Sequence, residues 1–141
     1  MTSSSWLFLA LPLALTTMAE AGDQSIGAFG ILMCGNKTLA GATVKLWELD
    51  TLVDPDDLLM EVKTDSEGKF KVYGTDNEMT SIDPVVKFYH RCNNAFHVCK
   101  RKNVYEIPKT YITKGKTPSK WFDFGTLNME AKQKDEGTEC F

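Results

Sequence analysis

Two histidines, His90 and His97, are all that the 141 residues contain, and neither stands in a Gly-x-Ser-x-Gly or HExxH arrangement. A hydrolytic triad or a zinc protease centre has no starting point in such a sequence, so no catalytic residue is assigned. His90, closing a β-prone run, is expected to pack or hydrogen-bond; His97 is expected to lie exposed in a loop. Internal repeats, low-complexity tracts, linkers and coiled-coil heptads are also absent, and nothing divides the chain into several domains. Long apolar runs are scarce. The one candidate, Trp6 to Leu15, spans ten residues, about half of what crosses a bilayer. No Lys or Arg precedes it, but Ala19-Glu20-Ala21 behind it has the small-x-small pattern of a cleavage site. Residues 1–21 are therefore read as a secretory signal peptide and residues 22–141 as one mature domain. The expected location is extracellular, without a membrane span.

Secretion sets the meaning of the cysteines. Cys34, Cys92, Cys99 and Cys140 all fall after residue 21, and an even number in an oxidising compartment reads as two disulfides with three possible pairings. Cys92 and Cys99 frame the short polar segment 91–98 and are expected to staple its base. Cys34 is then left for Cys140. Zinc is the competing use, since His90, Cys92, His97 and Cys99 are near one another in sequence. Without CxxC or HxxxH spacing, and with extracellular thiols prone to oxidise, disulfides are preferred and neither a metal ligand nor a cofactor is assigned.

Net charge is −3, but the charges are unevenly spread. Residues 22–83 hold five lysines against twelve acidic side chains, a balance of −7. Residues 84–120 hold nine Lys or Arg against Glu106 alone, a balance of +8. Such a split predicts one acidic and one basic surface. Arg91, Lys100, Arg101 and Lys102 are the expected core of an exposed basic patch beside the short cysteine loop, suited to an anionic phospholipid headgroup or an anionic cell-surface receptor. Within it, Arg91 and Arg101 are the better phosphate grips. Nucleic acid is a poor partner for a secreted, acidic chain. Asp50, Asp54, Asp56 and Asp57 bring hard oxygen donors within eight residues, yet lack EF-hand spacing and read more simply as a solvated acidic turn. Asn36-Lys37-Thr38 is the N-glycosylation sequon, placing Asn36 at an expected turn.

Apolar residues come in short bursts separated by turn chemistry every eight to twelve residues, the punctuation of a sandwich or barrel. Strands are expected at residues 29–34, 42–49, 58–64, 70–73, 85–90, 100–107 and 121–129. Asp65-Ser66-Glu67-Gly68 supplies a tight hairpin turn between two of them. Only residues 130–137 and 77–81 have room for a short helix.

Several segments together resemble the nematode transthyretin-like family. They are Gly30-Ile31-Leu32-Met33-Cys34-Gly35-Asn36-Lys37, Ala42-Thr43-Val44-Lys45-Leu46-Trp47, Asp54-Pro55-Asp56-Asp57-Leu58-Leu59 and Thr64-Asp65-Ser66-Glu67-Gly68-Lys69-Phe70. Ile82-Asp83-Pro84, Phe88-Tyr89-His90-Arg91-Cys92, Cys99-Lys100-Arg101, Ile107-Pro108, Gly125-Thr126-Leu127-Asn128 and Glu139-Cys140 follow in the same order. The resemblance spans nearly all of the mature chain and includes all four cysteines. It implies a seven-stranded antiparallel transthyretin-like β-sandwich with at most a short helix. It also implies a secreted, non-enzymatic binding protein; one family member bridges phosphatidylserine on dying cells to an engulfment receptor. Two alternatives stay open on the same fold. One is a hydrolase like the 5-hydroxyisourate hydrolases, although their terminal Tyr-Arg-Gly-Ser is replaced here by Gly137-Thr138-Glu139-Cys140-Phe141. The other is an oligomeric carrier of a small apolar ligand.

Overall fold

The computed structural model describes residues 22–50, 55–94 and 97–140; residues 1–21, expected to be a signal peptide, and Asp54 lie outside them. Ten strands and one 3-10 turn make up the described residues, with no α-helix among them. The seven main strands overlap the expected bursts: β1 (Gly22–Cys34), β3 (Thr43–Glu48), β4 (Asp57–Lys63), β5 (Lys69–Glu78), β6 (Pro84–His90), β7 (Lys100–Glu106) and β9 (Trp121–Asn128), with β1 starting seven residues before its expected start and β5 running on through Asn77 and Glu78, where a short helix had room. The short strands β2 (Lys37–Thr38), β8 (Thr113–Lys114) and β10 (Gly137–Glu139) were not anticipated. Each has only two or three residues, too few to show alternation. The turn at Lys109–Tyr111 follows Pro108.

β1 organises the first sheet, pairing antiparallel with β2, β5 and β8 and parallel with β9. The parallel β1–β9 ladder departs from an all-antiparallel expectation. The second sheet runs β10-β7-β6-β3-β4 and is antiparallel throughout. Alternation along each strand sends one set of side chains between the sheets: Ile26, Ala28 and Leu32, Phe70 and Val72, Val44 and Leu46, Val86 and Phe88 are all buried. Edge-to-face aromatic contacts tie the layers together, with ring centres 5.1 Å apart for Phe70–Phe88 and 5.6 Å for Phe88–Phe124.

The hairpin turn at Asp65–Gly68 forms as its sequence implied. Asp65 Oδ1 accepts the Glu67 and Lys69 N–H groups at 2.9 Å each. Gly68 has φ +77°, and a Cβ there would stand 2.2 Å from the Leu32 carbonyl oxygen, so the turn needs glycine on two counts.

The disulfides differ from expectation. Cys34 bonds Cys92 and Cys99 bonds Cys140, with Cα separations of 5.6 and 3.9 Å; neither Cys92–Cys99 nor Cys34–Cys140 forms. β10 supplies the reason. It pairs with β7 so that Glu139 faces Lys100, and the next residue on one strand meets the preceding residue on the other. Cys140 is thereby delivered to Cys99. Cys34, ending β1, then meets Cys92, just beyond β6, and their bond links the two sheets. Segment 91–98 is closed without a staple: Arg91 donates to the His97 and Val98 carbonyls, and Asn94 Nδ2 donates to the Cys99 carbonyl at 2.8 Å.

Candidate functional site

Alternation along β7 separates the residues that the sequence places side by side. Arg101, Asn103 and Tyr105 turn inward, while Lys100, Lys102 and Val104 turn out. The Arg101 side chain is only 11% exposed and faces Glu136, itself 7% exposed, at 2.7 Å. Its Nε donates to the other Glu136 oxygen at 3.0 Å, and further N–H groups reach the Cys92 and Ala131 carbonyls. Asn103 Nδ2 adds a 2.9 Å bond to Glu136. Arg101 is thus a fully engaged structural cation. The expected patch of Arg91, Lys100, Arg101 and Lys102 does not exist as one exposed surface.

His90 belongs to the same buried network. Its Nε2–H donates to Asn103 Oδ1 at 2.8 Å and its Nδ1 accepts the Cys92 N–H at 3.2 Å, which requires the neutral ring. Burial first, then the nearby Arg101, lowers the affinity of His90 for a proton, against the opposing pull of Asn103 and Glu136. His97 is exposed in the loop. The two rings have different surroundings and do not share a site.

The outward face of the second sheet holds a different cationic group. Lys45 and Lys87 are direct cross-strand partners, as are Tyr89 and Lys102. Tyr89 lies between the charges, with Lys45 Nζ 4.9 Å and Lys102 Nζ 5.8 Å from its ring centre. Lys87 Nζ stands 5.0 Å over the Trp47 ring. Apposed like charges on neighbouring strands oppose sheet formation, and two counter-charges sit at the rim: Glu61 is 3.5 Å from Lys45 and Glu139 is 3.5 Å from Lys102. No carboxylate is recorded within ion-pair distance of Lys87 among the described residues. Burial, with Lys102 and Lys45 adding to it, lowers its proton affinity. Beside Tyr89, Lys45 and Lys100 a hollow of about 270 Å³ opens, with Arg91 on its wall. Of the four expected patch residues, this face keeps Arg91, Lys100 and Lys102. It gains Lys45, Lys87 and Tyr89, which only strand register brings together.

Acidic residues collect at the opposite end of the same strands. Glu48, Asp50, Asp57 and Glu78 each place a carboxylate oxygen within 4.8 Å of the others, where the sequence reading assigned no metal ligand. Glu48 is 2% exposed, and burial lifts it to about pKa 7, with Asp50, Glu78 and Asp76 reinforcing the shift against the Asp83 N–H.

The profile of the Transthyretin-like family matches residues 29–108. The chain is 42% identical over 117 residues to transthyretin-like protein 33 of Caenorhabditis elegans, covering 83% of this chain and 82% of that one. Against transthyretin-like protein 46 of the same organism it is 47% identical over 125 residues, covering 88% and 70%. Transthyretin-like protein 5 is 38% identical over 135 residues, covering 95% and 97%. The chain belongs to the transthyretin-like family. Membership agrees with the two-layer fold and with the order of its motifs. No helix among the described residues is long and apolar enough to cross a membrane.

Three groups of this transthyretin-like chain predict its acid response. His90 has a folded-state pKa below its ordinary 6.5, so its contribution is complete above that value and is lost as pH falls through it. Burial raises Glu136, but Arg101 and Asn103 outweigh it and hold the carboxyl below 4.5. Its contribution is present above that value and is lost at lower pH. Glu48 acts in the other sense, because its raised pKa favours the fold most when it is protonated. Thermal melts of Glu48→Gln should therefore show a midpoint that is level above neutrality, declines below about pH 6.5 and falls more steeply below about pH 4.5. Adding His90→Gln should remove the first decline and leave the second.

Proposed function

We propose that the protein is a secreted, non-enzymatic binding protein whose outward lysine–tyrosine face takes an anionic headgroup of the phosphatidylserine class. The carrying observation is the direct apposition of Lys45 and Lys87, with Lys102 around the same Tyr89 ring. Packing cations on one sheet face costs stability unless a partner supplies negative charge. An anionic membrane does so at about 1 kcal/mol per lysine near its surface. The rings beneath the ammonium groups hold them in place; Lys45 and Lys102 have Glu61 and Glu139 at 3.5 Å at the rim, so Lys87 is the cation of the group best placed to take a phosphate or carboxylate.

Secretion is supported by the leader-like segment 1–21 and by two disulfides, which persist in oxidising compartments. A non-enzymatic role is supported by the state of His90: both ring nitrogens are bonded and the residue is 2% exposed, so it is not a base poised at a surface. Asn36 is exposed in the turn between β1 and β2, open to glycosylation.

Vesicle sedimentation tests this reading. The disulfide-intact protein should bind phosphatidylcholine vesicles containing phosphatidylserine at low salt, ignore pure phosphatidylcholine, and dissociate as salt shortens the screening length to about 10 Å and below. Lys87→Glu with Lys102→Glu should weaken binding at least about thirtyfold, because even neutralising two lysines forfeits about 2 kcal/mol. Lys132→Glu with Lys134→Glu makes the same charge change at exposed positions elsewhere and should leave most of the binding intact. Equal loss in both double variants, or none in either, would overturn the assignment. Binding to heparin without binding to vesicles would move the partner to a sulfated receptor glycan.

A further inference from the structure

We propose that Glu48, Asp50, Asp57 and Glu78 form a calcium site where β3, β4 and β5 converge at one end of the sandwich, with Asp76 adjoining. The inference is independent of the lysine–tyrosine face. It differs from the acidic turn visible in sequence, because two of its four ligands come from strand ends that are thirty residues apart.

Register builds the cluster. Glu48 ends β3 and is the cross-strand partner of Asp57, which opens β4. β4 leans against β5, where Met60 Sδ accepts the Tyr73 N–H at 3.4 Å, and this brings the end of β5 with Asp76 and Glu78 alongside. Asp50 is drawn in as its N–H donates to Asp56 Oδ1 at 3.0 Å.

Acidic clusters are common on protein surfaces, but Glu48 is not on the surface. Its Oε1 accepts the Asp83 N–H at 3.3 Å, while its buried Oε2 has no hydrogen-bond partner. A buried carboxylate oxygen left without a donor is costly. The side chains gathered around it, Asp50, Asp57 and Glu78, are carboxylates and supply no donor. Asp76 Oδ2 is likewise buried without a partner. It adjoins the carboxylate of Asp57. Two ionised carboxylates have no hydrogen to share; a cation between such groups satisfies both.

The spacing selects the cation. Calcium takes oxygen ligands at about 2.3–2.6 Å, so oxygens on opposite sides of one ion stand about 5 Å apart. Four carboxylate oxygens mutually within 4.8 Å fit that sphere. Magnesium demands a tighter octahedron and keeps its waters, which suits a wholly carboxylate set poorly. No thiol or imidazole takes part, which disfavours zinc.

Calcium chloride titrated calorimetrically into the chelator-stripped, disulfide-intact chain should reveal one site. Its Kd should fall in the extracellular range of about 10⁻⁴–10⁻³ M, and the thermal midpoint should rise as the ion is added. Asp57→Asn, at an exposed position that cannot disturb the core, and Glu48→Gln should each weaken binding at least tenfold. In chelator, Glu48→Gln should melt no lower than the parent, since it removes a buried charge whose Oε2 lacks a donor while Gln can still accept the Asp83 N–H. The absence of heat and midpoint shift up to about 10 mM calcium would overturn the site. So would unchanged binding in both variants, or a magnesium response equal to that of calcium.

Discussion

Arg101→Ala should unfold at markedly lower urea than the parent protein, with a loss of about 3–5 kcal/mol. The substitution leaves Glu136, whose side chain is 7% exposed, with the Asn103 amide and the Gln133 backbone N–H but no cation facing its carboxylate. It also takes its donor from the Cys92 carbonyl, while the Ala131 carbonyl keeps Gln133 Nε2 at 3.2 Å. Breaking one side of a buried ion pair costs far more than the pair is worth over an apolar replacement, because the surviving charge keeps its desolvation penalty. Against a typical total of 5–15 kcal/mol, the loss removes a large share of stability. Lys102→Ala, one residue away, should change stability by about 1 kcal/mol or less, since its Glu139 contact is long and open to solvent. The contrast decides whether Arg101 is a structural cation or a surface one. Equal, small effects at both positions would place Arg101 back on the surface.

Alternation was the legible part of this chain. The main strands announced themselves through alternation, as in β3, β5 and β7, or through a β-prone apolar run, as in β6, bounded by turn residues, because those signals act within a few residues. What failed needed information from across the fold. Arg101 and Lys102 are neighbours in sequence, yet the pleat sends one into a buried network and the other to solvent. Applied to 100–102 as strictly as to 42–49, the same alternation would have separated them beforehand. Lys45 and Lys87 are forty-two residues apart, and only the β3–β6 register makes them partners. Glu48 and Glu78 likewise meet through packing of β4 against β5. Inside the motif Asp50 to Asp57, the acidic turn was visible, but its strand-borne partners were not. β10 was silent because Gly137-Thr138-Glu139 carries no apolar residue, and its pairing with β7 is what redirects Cys140.

Removing Cys34–Cys92 by a double Ser substitution should cost about 2–5 kcal/mol. The bond closes 58 residues of separation, for which the chain-entropy relation gives about 4 kcal/mol; the 41 residues under Cys99–Cys140 give nearly as much. Burial separates the two. Cys92 is 2% exposed in the core, so its replacement also places a hydroxyl among apolar groups, whereas Cys140, just past the β7–β10 ladder, is itself exposed. The Cys34/Cys92 double variant should therefore be the less stable one in urea, and the Cys99/Cys140 variant should chiefly loosen β10. Peptide mapping without reductant checks the pairing first. Trypsin leaves Cys92 and Cys99 in one peptide, residues 92–100, because no Lys or Arg lies between them. The observed bonds then join three peptides: the one ending at Lys37, residues 92–100, and the one beginning at Asp135. A Cys92–Cys99 bond would instead release 92–100 as a closed loop, separate from a two-peptide species. Chymotryptic cleavage after Phe96 splits the middle peptide and should leave Cys34 with Cys92 and Cys140 with Cys99, because the β7–β10 ladder aligns that second pair before oxidation.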